Sequence, residues 1–250
     1  MNKRECRIYG LLCFLTMLVF YGLLLTRNKA LLDKLGSDRG PIQNIGGTCL
    51  FMASILFFIS FFKEKEGNDL SLLKTKKNLF FLLLGLLFFF GAGEEINWGQ
   101  YIFNFHPPKA ISDLNVEHEL NIHNLKFINR YIPRGEKASW TNRLNAMRLF
   151  NIFWFSFCLL IPLTDRFNKR LSGWFKKVNL PVVPLCIGLF FLANYMILCF
   201  FRAPGGWHMI GFDLKNPLNE ITETVYSFFF VLIAWHFLRK LNKETGKKGA

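Results

Sequence analysis

Residues 78–100 read "NLFFLLLGLLFFFGAGEEINWGQ". From Leu79 to Phe90 the only residue that is not large and apolar is Gly85, and the run then ends on two adjacent acids, Glu94 and Glu95. Asn97, Trp98 and Gln100 follow at once. A charged side chain costs roughly 2.5–3.5 kcal/mol at the centre of a membrane helix and less towards the interface. The stretch therefore reads as a helix that enters a bilayer on leucine and phenylalanine and leaves it through carboxylates.

Working outward, five more runs have the same character in a chain that is 52% hydrophobic and holds 30 phenylalanines. With 78–97, the expected helices are 8–26, 44–62, 147–164, 181–201 and 220–238. Each is close to the length of about 20 residues that crosses a bilayer. Six such runs predict an all-α membrane protein, one bundle of about six transmembrane helices spanning residues 1–250, with a long extracytoplasmic loop at 101–146. The first run is too long for a signal peptide's apolar core and is followed by the basic "LLTRNKA", so it is expected to be a retained helix.

The net charge of +14 does not point to nucleic acid. The basic tracts lack aromatic interleaving or a nucleic-acid-binding signature. They alternate with the helices instead. The N-terminal tail, 63–77, 165–180 and the C-terminal tail hold eighteen Lys and Arg, against twelve on the opposite connections, six of those in the one long loop. That asymmetry predicts a bacterial inner-membrane protein with both termini cytoplasmic, and membrane lipids as its partners. No protein partner is legible. The six cysteines mostly lie inside apolar runs without C-x-x-C spacing, and read as small apolar residues.

With this topology eleven of the seventeen acids fall on the outer face. On the helical wheel Glu94 shares a stripe with Asn97 and Trp98, and Glu95 with Gly91 and Gly99, where a neighbouring helix could approach closely. In "NVEHELNIHN" (115–124) the string H-E-L-N-I-H is one residue too long for H-E-x-x-H, so the zinc-peptidase motif is rejected. A helix would still pair Glu119 with His123 at i, i+4; a strand would turn Asn115, Glu117, Glu119, Asn121 and His123 to one side. In "NPLNEITETVYS" (216–227) Pro217 and Asn219 read as the start and N-cap of the last helix. Glu220 suits its dipole, and Glu223 shares its face one turn deeper. His208, in "GGWHMIGFD", is a weak further candidate. The stretch "HNLKFINRYIP" (123–133) has the spacing of an amphipathic surface helix.

"GEEINWGQYIF" followed by "NVEHELNIHNL" resembles a group of bacterial multi-pass membrane proteins with the pattern E-E-I-S-W-G-Q-R, then N-x-Q-x-E-x-N-L-H-N. Glu94, Glu95, Trp98, Gly99, Gln100, Asn115, Glu119, Asn121, His123 and Asn124 match it, while Asn97, Tyr101, Glu117 and Ile122 depart. The resemblance implies a multi-pass fold and supplies no activity. A looser similarity is to ceramidase-like intramembrane hydrolases, whose H-x-x-x-H pair this chain lacks.

The expected function is a Glu/His polar site at the extracytoplasmic face, acting as a metal-dependent hydrolase or transferase on a lipid or lipid-linked substrate. The catalytic candidates are Glu94, Glu95, Glu119 and His123. Zinc, magnesium or manganese would be held by Glu95, Glu119, His123, Glu220 and Glu223, with His208 as a weaker ligand. Arg202 is the alternative means of relieving repulsion among the acids. Two other classes remain open: a non-enzymatic assembly or structural factor, and a cation-binding transport module.

Overall fold

Asparagine begins most of these helices, its side-chain oxygen accepting a backbone N–H that the first turn leaves free. In the computed structural model, which describes residues 2–37, 40–64, 77–128, 145–203 and 215–247, Asn2 caps α1 (Lys3–Gly22), with Glu5 returning the bond. Asn28 caps α2 (Lys29–Leu35), Asn78 caps α4 (Leu79–Glu95) and Asn145 caps α6 (Ala146–Phe167). Asn168 caps the surface helix α7 (Lys169–Lys177). Proline starts the others. α3 (Pro41–Lys63) opens on Pro41, α8 (Leu185–Arg202) follows Pro184, and α9 (Lys215–Lys247) carries Pro217 in its first turn, where a missing N–H is harmless. One short turn, α5 (Lys109–Ser112), lies in the loop after α4.

Five segments are long and apolar enough to cross a membrane: Lys3–Thr26, α3, α6, α8 and residues Asn216–Glu244 of α9. α4, with 17 residues, rises about 25 Å, a little under the hydrocarbon thickness of a bilayer. It ends two residues before the expected boundary. α9 runs past both ends of the expected 220–238, so Asn219 lies inside the helix and is not its cap. The described residues hold no strand; Asn115 and Leu125 form an isolated antiparallel bridge. The part of the expected surface helix that is described, up to Ile128, is turn, and the rest lies outside the described residues.

α9 is the hub. Its apolar window is 72% buried, against 22–44% for the other spans. α3, α8 and α1 pack directly on it, while α4 packs on α3 and α6 on α8, each reaching α9 through aromatic side chains such as Phe88 and Trp154. Phe230 of α9 stands 4.6 Å from Phe88 and 4.9 Å from Phe191, ring centre to ring centre, so one aromatic cluster joins both sides. The outward faces are apolar too. Leu11, Phe14, Val19, Phe51, Leu83 and Phe155 are exposed, which suits lipid and not water. Polar pins fix how the helices face one another. The Tyr21 hydroxyl donates to Asn194 Oδ1 (2.7 Å) and lies 3.2 Å from Thr222 Oγ1, while Asn194 Nδ2 donates to the Thr222 carbonyl (3.1 Å). Thr224 Oγ1 donates to the Ile42 carbonyl at 2.9 Å.

Candidate functional site

The site begins where α4 stops. Asn97, Trp98 and Gly99 all have positive φ (50°, 53° and 79°) and turn the chain back. For a residue with a Cβ that conformation costs roughly 1–2 kcal/mol, so something must hold it. Trp98 Nε1 donates to Glu94 Oε1 at 2.8 Å, and the indole lies over Gly93, where a Cβ would sit 2.9 Å from its ring. Asn97 Oδ1 accepts from Asn121 Nδ2 at 2.5 Å. Gln100 Oε1 accepts the Leu120 N–H at 2.8 Å. The reversal and loop 113–128 therefore build each other.

Inside that loop Asn115, fully buried, is the organiser. Its Oδ1 accepts from the Glu117 and Glu119 N–H groups (2.8 and 3.3 Å), and its Nδ2 donates to the carbonyl and side chain of Asn121 (2.9 and 2.8 Å). This is the local side-chain-to-backbone bonding that lets asparagine replace regular structure. Glu119 is buried and accepts from the Tyr101 hydroxyl (2.8 Å) and Asn121 Nδ2 (3.0 Å). The strand-like alternation is partly realised: Asn115, Glu119 and Asn121 are buried and Glu117 is exposed, without a strand.

Glu94 closes the loop onto the helix. Its Oε2 accepts the backbone N–H groups of Ile122 (2.7 Å) and His123 (2.9 Å) and lies 3.2 Å from His123 Nδ1. With Trp98 on Oε1, both carboxylate oxygens are taken and the side chain is buried. His123 thus pairs with Glu94, where the sequence suggests Glu119. Burial opposes the charged imidazolium, but the Glu94 bond and the nearby Glu95, Glu94 and Glu223 carboxylates outweigh it and raise the His123 pKa.

Glu95 points to the other side of α4. A Cβ on Gly47 would stand 3.3 Å from Glu95 Cβ, and one on Gly46 would stand 3.1 Å from Thr224 Oγ1. The glycine pair lets α3 sit tightly between α4 and α9, and so draws Glu95 towards Glu223. The two carboxylates act on each other and on His123 through space, and Gln43 of α3 hydrogen-bonds Glu95. Arg202 donates to Asn219 Oδ1 (2.5 Å), and its charge reaches Glu223. Glu220 is half-buried one turn nearer the start of α9. The loop with His208 lies outside the described residues.

Of the sequence candidates, then, Glu95, Glu223 and His123 share one neighbourhood, whereas Glu94 and Glu119 hold the loop's frame. Sequence reasoning passed over Gln43 and the Gly46–Gly47 pair. Their signal was present in "PIQNIGG" (41–47), a polar residue one turn before two glycines at the mouth of an apolar helix. Among the described residues, no three His, Cys, Asp or Glu side chains are grouped so as to hold a metal ion. Comparison with family models, curated proteins and solved structures finds no match to this chain, so its chemistry is read from these side chains.

Proposed function

We propose that this is a six-span protein of the bacterial inner membrane with both termini cytoplasmic, and that Glu95, Glu223 and His123 at its extracytoplasmic end carry out acid–base hydrolysis or group transfer on a lipid or lipid-linked substrate. The observation that carries the reading is the carboxylate pair. Glu95 and Glu223 come from two helices, separated by the glycines of a third, beside a histidine whose charge the site favours. Ionisable groups at such depth are costly and usually serve a function. Glu94, spent on the loop, is the contrasting case of an acid with a structural task.

In the hydrolytic form, one carboxylate takes a proton from water as the water oxygen bonds to the ester carbon or phosphorus. Protonated His123 gives its proton to the departing alkoxide, and the proton on the carboxylate then returns to His123, through water. Ester plus water becomes acid plus alcohol, and the site is restored. In a second form the Glu95 and Glu223 carboxylates would hold a divalent cation, which would relieve their mutual repulsion and activate the attacking water.

The test is incubation of the detergent-purified protein with lipid extract, followed by mass spectrometry of products and measurement of bound metal. Glu95→Gln and Glu223→Gln are expected to fold and to lose turnover at least about a hundred-fold, the usual worth of a general base. In the metal form they also lose the ion. Equal lipid profiles for wild type and both folded variants would sink the enzyme reading and leave an assembly factor. The orientation fails if an impermeant thiol reagent labels a cysteine placed in 63–77 from outside.

A further inference from the structure

The opposite end of the bundle has a different construction. A cavity of about 530 Å³ opens there between the start of α1, the end of α6, the start of α8 and the last turns of α9. Its volume lies in the range of roughly 300–1,000 Å³ typical of small-molecule sites. Pro162, Val183 and Leu185 give it apolar walls, and Arg166, Arg239, Lys240 and Lys243 stand around it. Two carboxylates, Glu5 and Asp165, face those four cations. Glu5 is already engaged by Lys243 at 2.5 Å. Arg239 and Lys240 have no carboxylate within ion-pair distance among the described residues. Below them His236 packs edge-on against Tyr9, 5.5 Å between ring centres. The buried Tyr9 hydroxyl lies within reach of Arg239, whose guanidinium interacts with it.

The neighbouring surface is built for a membrane boundary. α7 buries Phe175, exposes Leu171 and Trp174, and carries Lys169, Arg170, Lys176 and Lys177. A short helix with aromatic and aliphatic groups on one face and cations on the other lies in the headgroup layer. α7 starts three residues after Arg166 of the cavity wall, so a helix lying in that layer would set the mouth near the lipid phosphates.

We propose that this cavity binds the headgroup of one anionic glycerophospholipid, its phosphate held by Arg239 and Lys240 and its glycerol and upper acyl carbons against Pro162, Val183 and Leu185. The match rests on charge, on the apolar walls and on depth. A basic pocket between membrane helices is suited to such a ligand, and each cation near the surface contributes about 1 kcal/mol. A free phosphate would use the cations and leave the apolar walls idle.

The probe is phosphatidylglycerol, with phosphatidylcholine as the neutral control. Purified full-length protein in nanodiscs of neutral lipid is titrated with each, and the lipid retained after release into detergent is counted by native mass spectrometry. Wild type is expected to retain phosphatidylglycerol preferentially. Arg239→Gln with Lys240→Gln is expected to lower that retention about 25-fold, or roughly five-fold per cation. Lys176→Gln with Lys177→Gln, on the same face but outside the cavity, should lower it less than about two-fold, since both are exposed surface charges. Equal retention of both lipids by wild type overturns the proposal whatever the variants do. So does an equal loss from the two double variants, which would assign the effect to the whole basic face. Displacement of the lipid by millimolar inorganic phosphate would show a phosphate site in place of a lipid site.

Discussion

The two ends of the bundle handle polar groups in opposite ways. At one end Glu94, Asn97, Asn115, Glu119 and Asn121 are buried and joined to one another or to backbone, atom by atom. At the other, Arg239 and Lys240 are exposed beside a cavity without an ion-pair partner among the described residues. A network whose bonds are made holds a shape; groups left short of partners are available to something outside. The same contrast recurs on a smaller scale between neighbours. Glu94 spends its two oxygens on Trp98 and the loop, while Glu95, one residue on, packs against Gly47 and acts on Glu223 through space.

The largest expected effect tests that contrast between neighbours. Glu94→Ala leaves the Ile122, His123 and Trp98 N–H donors without an acceptor. At roughly 1–3 kcal/mol each, the loss is at least about 3 kcal/mol. It should appear as a large fall in the midpoint of thermal unfolding in detergent. Glu95→Gln relieves a like-charge contact and should be neutral or stabilising. If the two variants unfold alike, the division of labour between the neighbours is wrong.

A smaller effect is expected at the glycine pair. Gly47→Leu puts carbon against Ile96, Glu95 and the Ala92 carbonyl, and overpacking of this kind costs about 1–3 kcal/mol. Gly91, whose Cβ would meet only Leu50 at 3.4 Å, should accept alanine at little cost. Equal unfolding midpoints for Gly47→Leu and Gly91→Ala would mean that α3 is not wedged between α4 and α9.

The smallest effect is a pH dependence. The folded protein raises the His123 pKa above the unfolded value of about 6.5. Its stabilisation is then complete below that unfolded value and fades as pH rises through the folded one. The midpoint of wild type minus that of His123→Gln should therefore decline from pH 5.5 to 8.5. A difference that grows with pH would reverse the assignment.

Most of the helices could be read directly, because an apolar run near 20 residues has few alternatives to a membrane helix. Their ends were less legible. Nothing in "EEINWGQ" announces that Asn97 and Trp98 take left-handed backbone, since the bonds that hold them come from residues 94 and 121. α9 passes Asn219 because its packing against α3 and α8 overrides a favourable cap. The acids at 94, 95, 119 and 223 stand out in the sequence, whereas their partners do not. Spacing along the chain paired Glu119 with His123, whereas a contact between segments pairs His123 with Glu94.

The pin joining Tyr21, Asn194 and Thr222 has a consequence in time. A ribosome delivers α1 well before α9, and α9 is the most deeply enclosed span. Tyr21 therefore enters the bilayer long before either of its partners has been synthesised. Until residue 222 emerges, the earlier helices surround a vacancy that lipid or an insertion factor must occupy. The bundle therefore closes only once α9 is in place, and a chain truncated before α9 would be inserted without a centre.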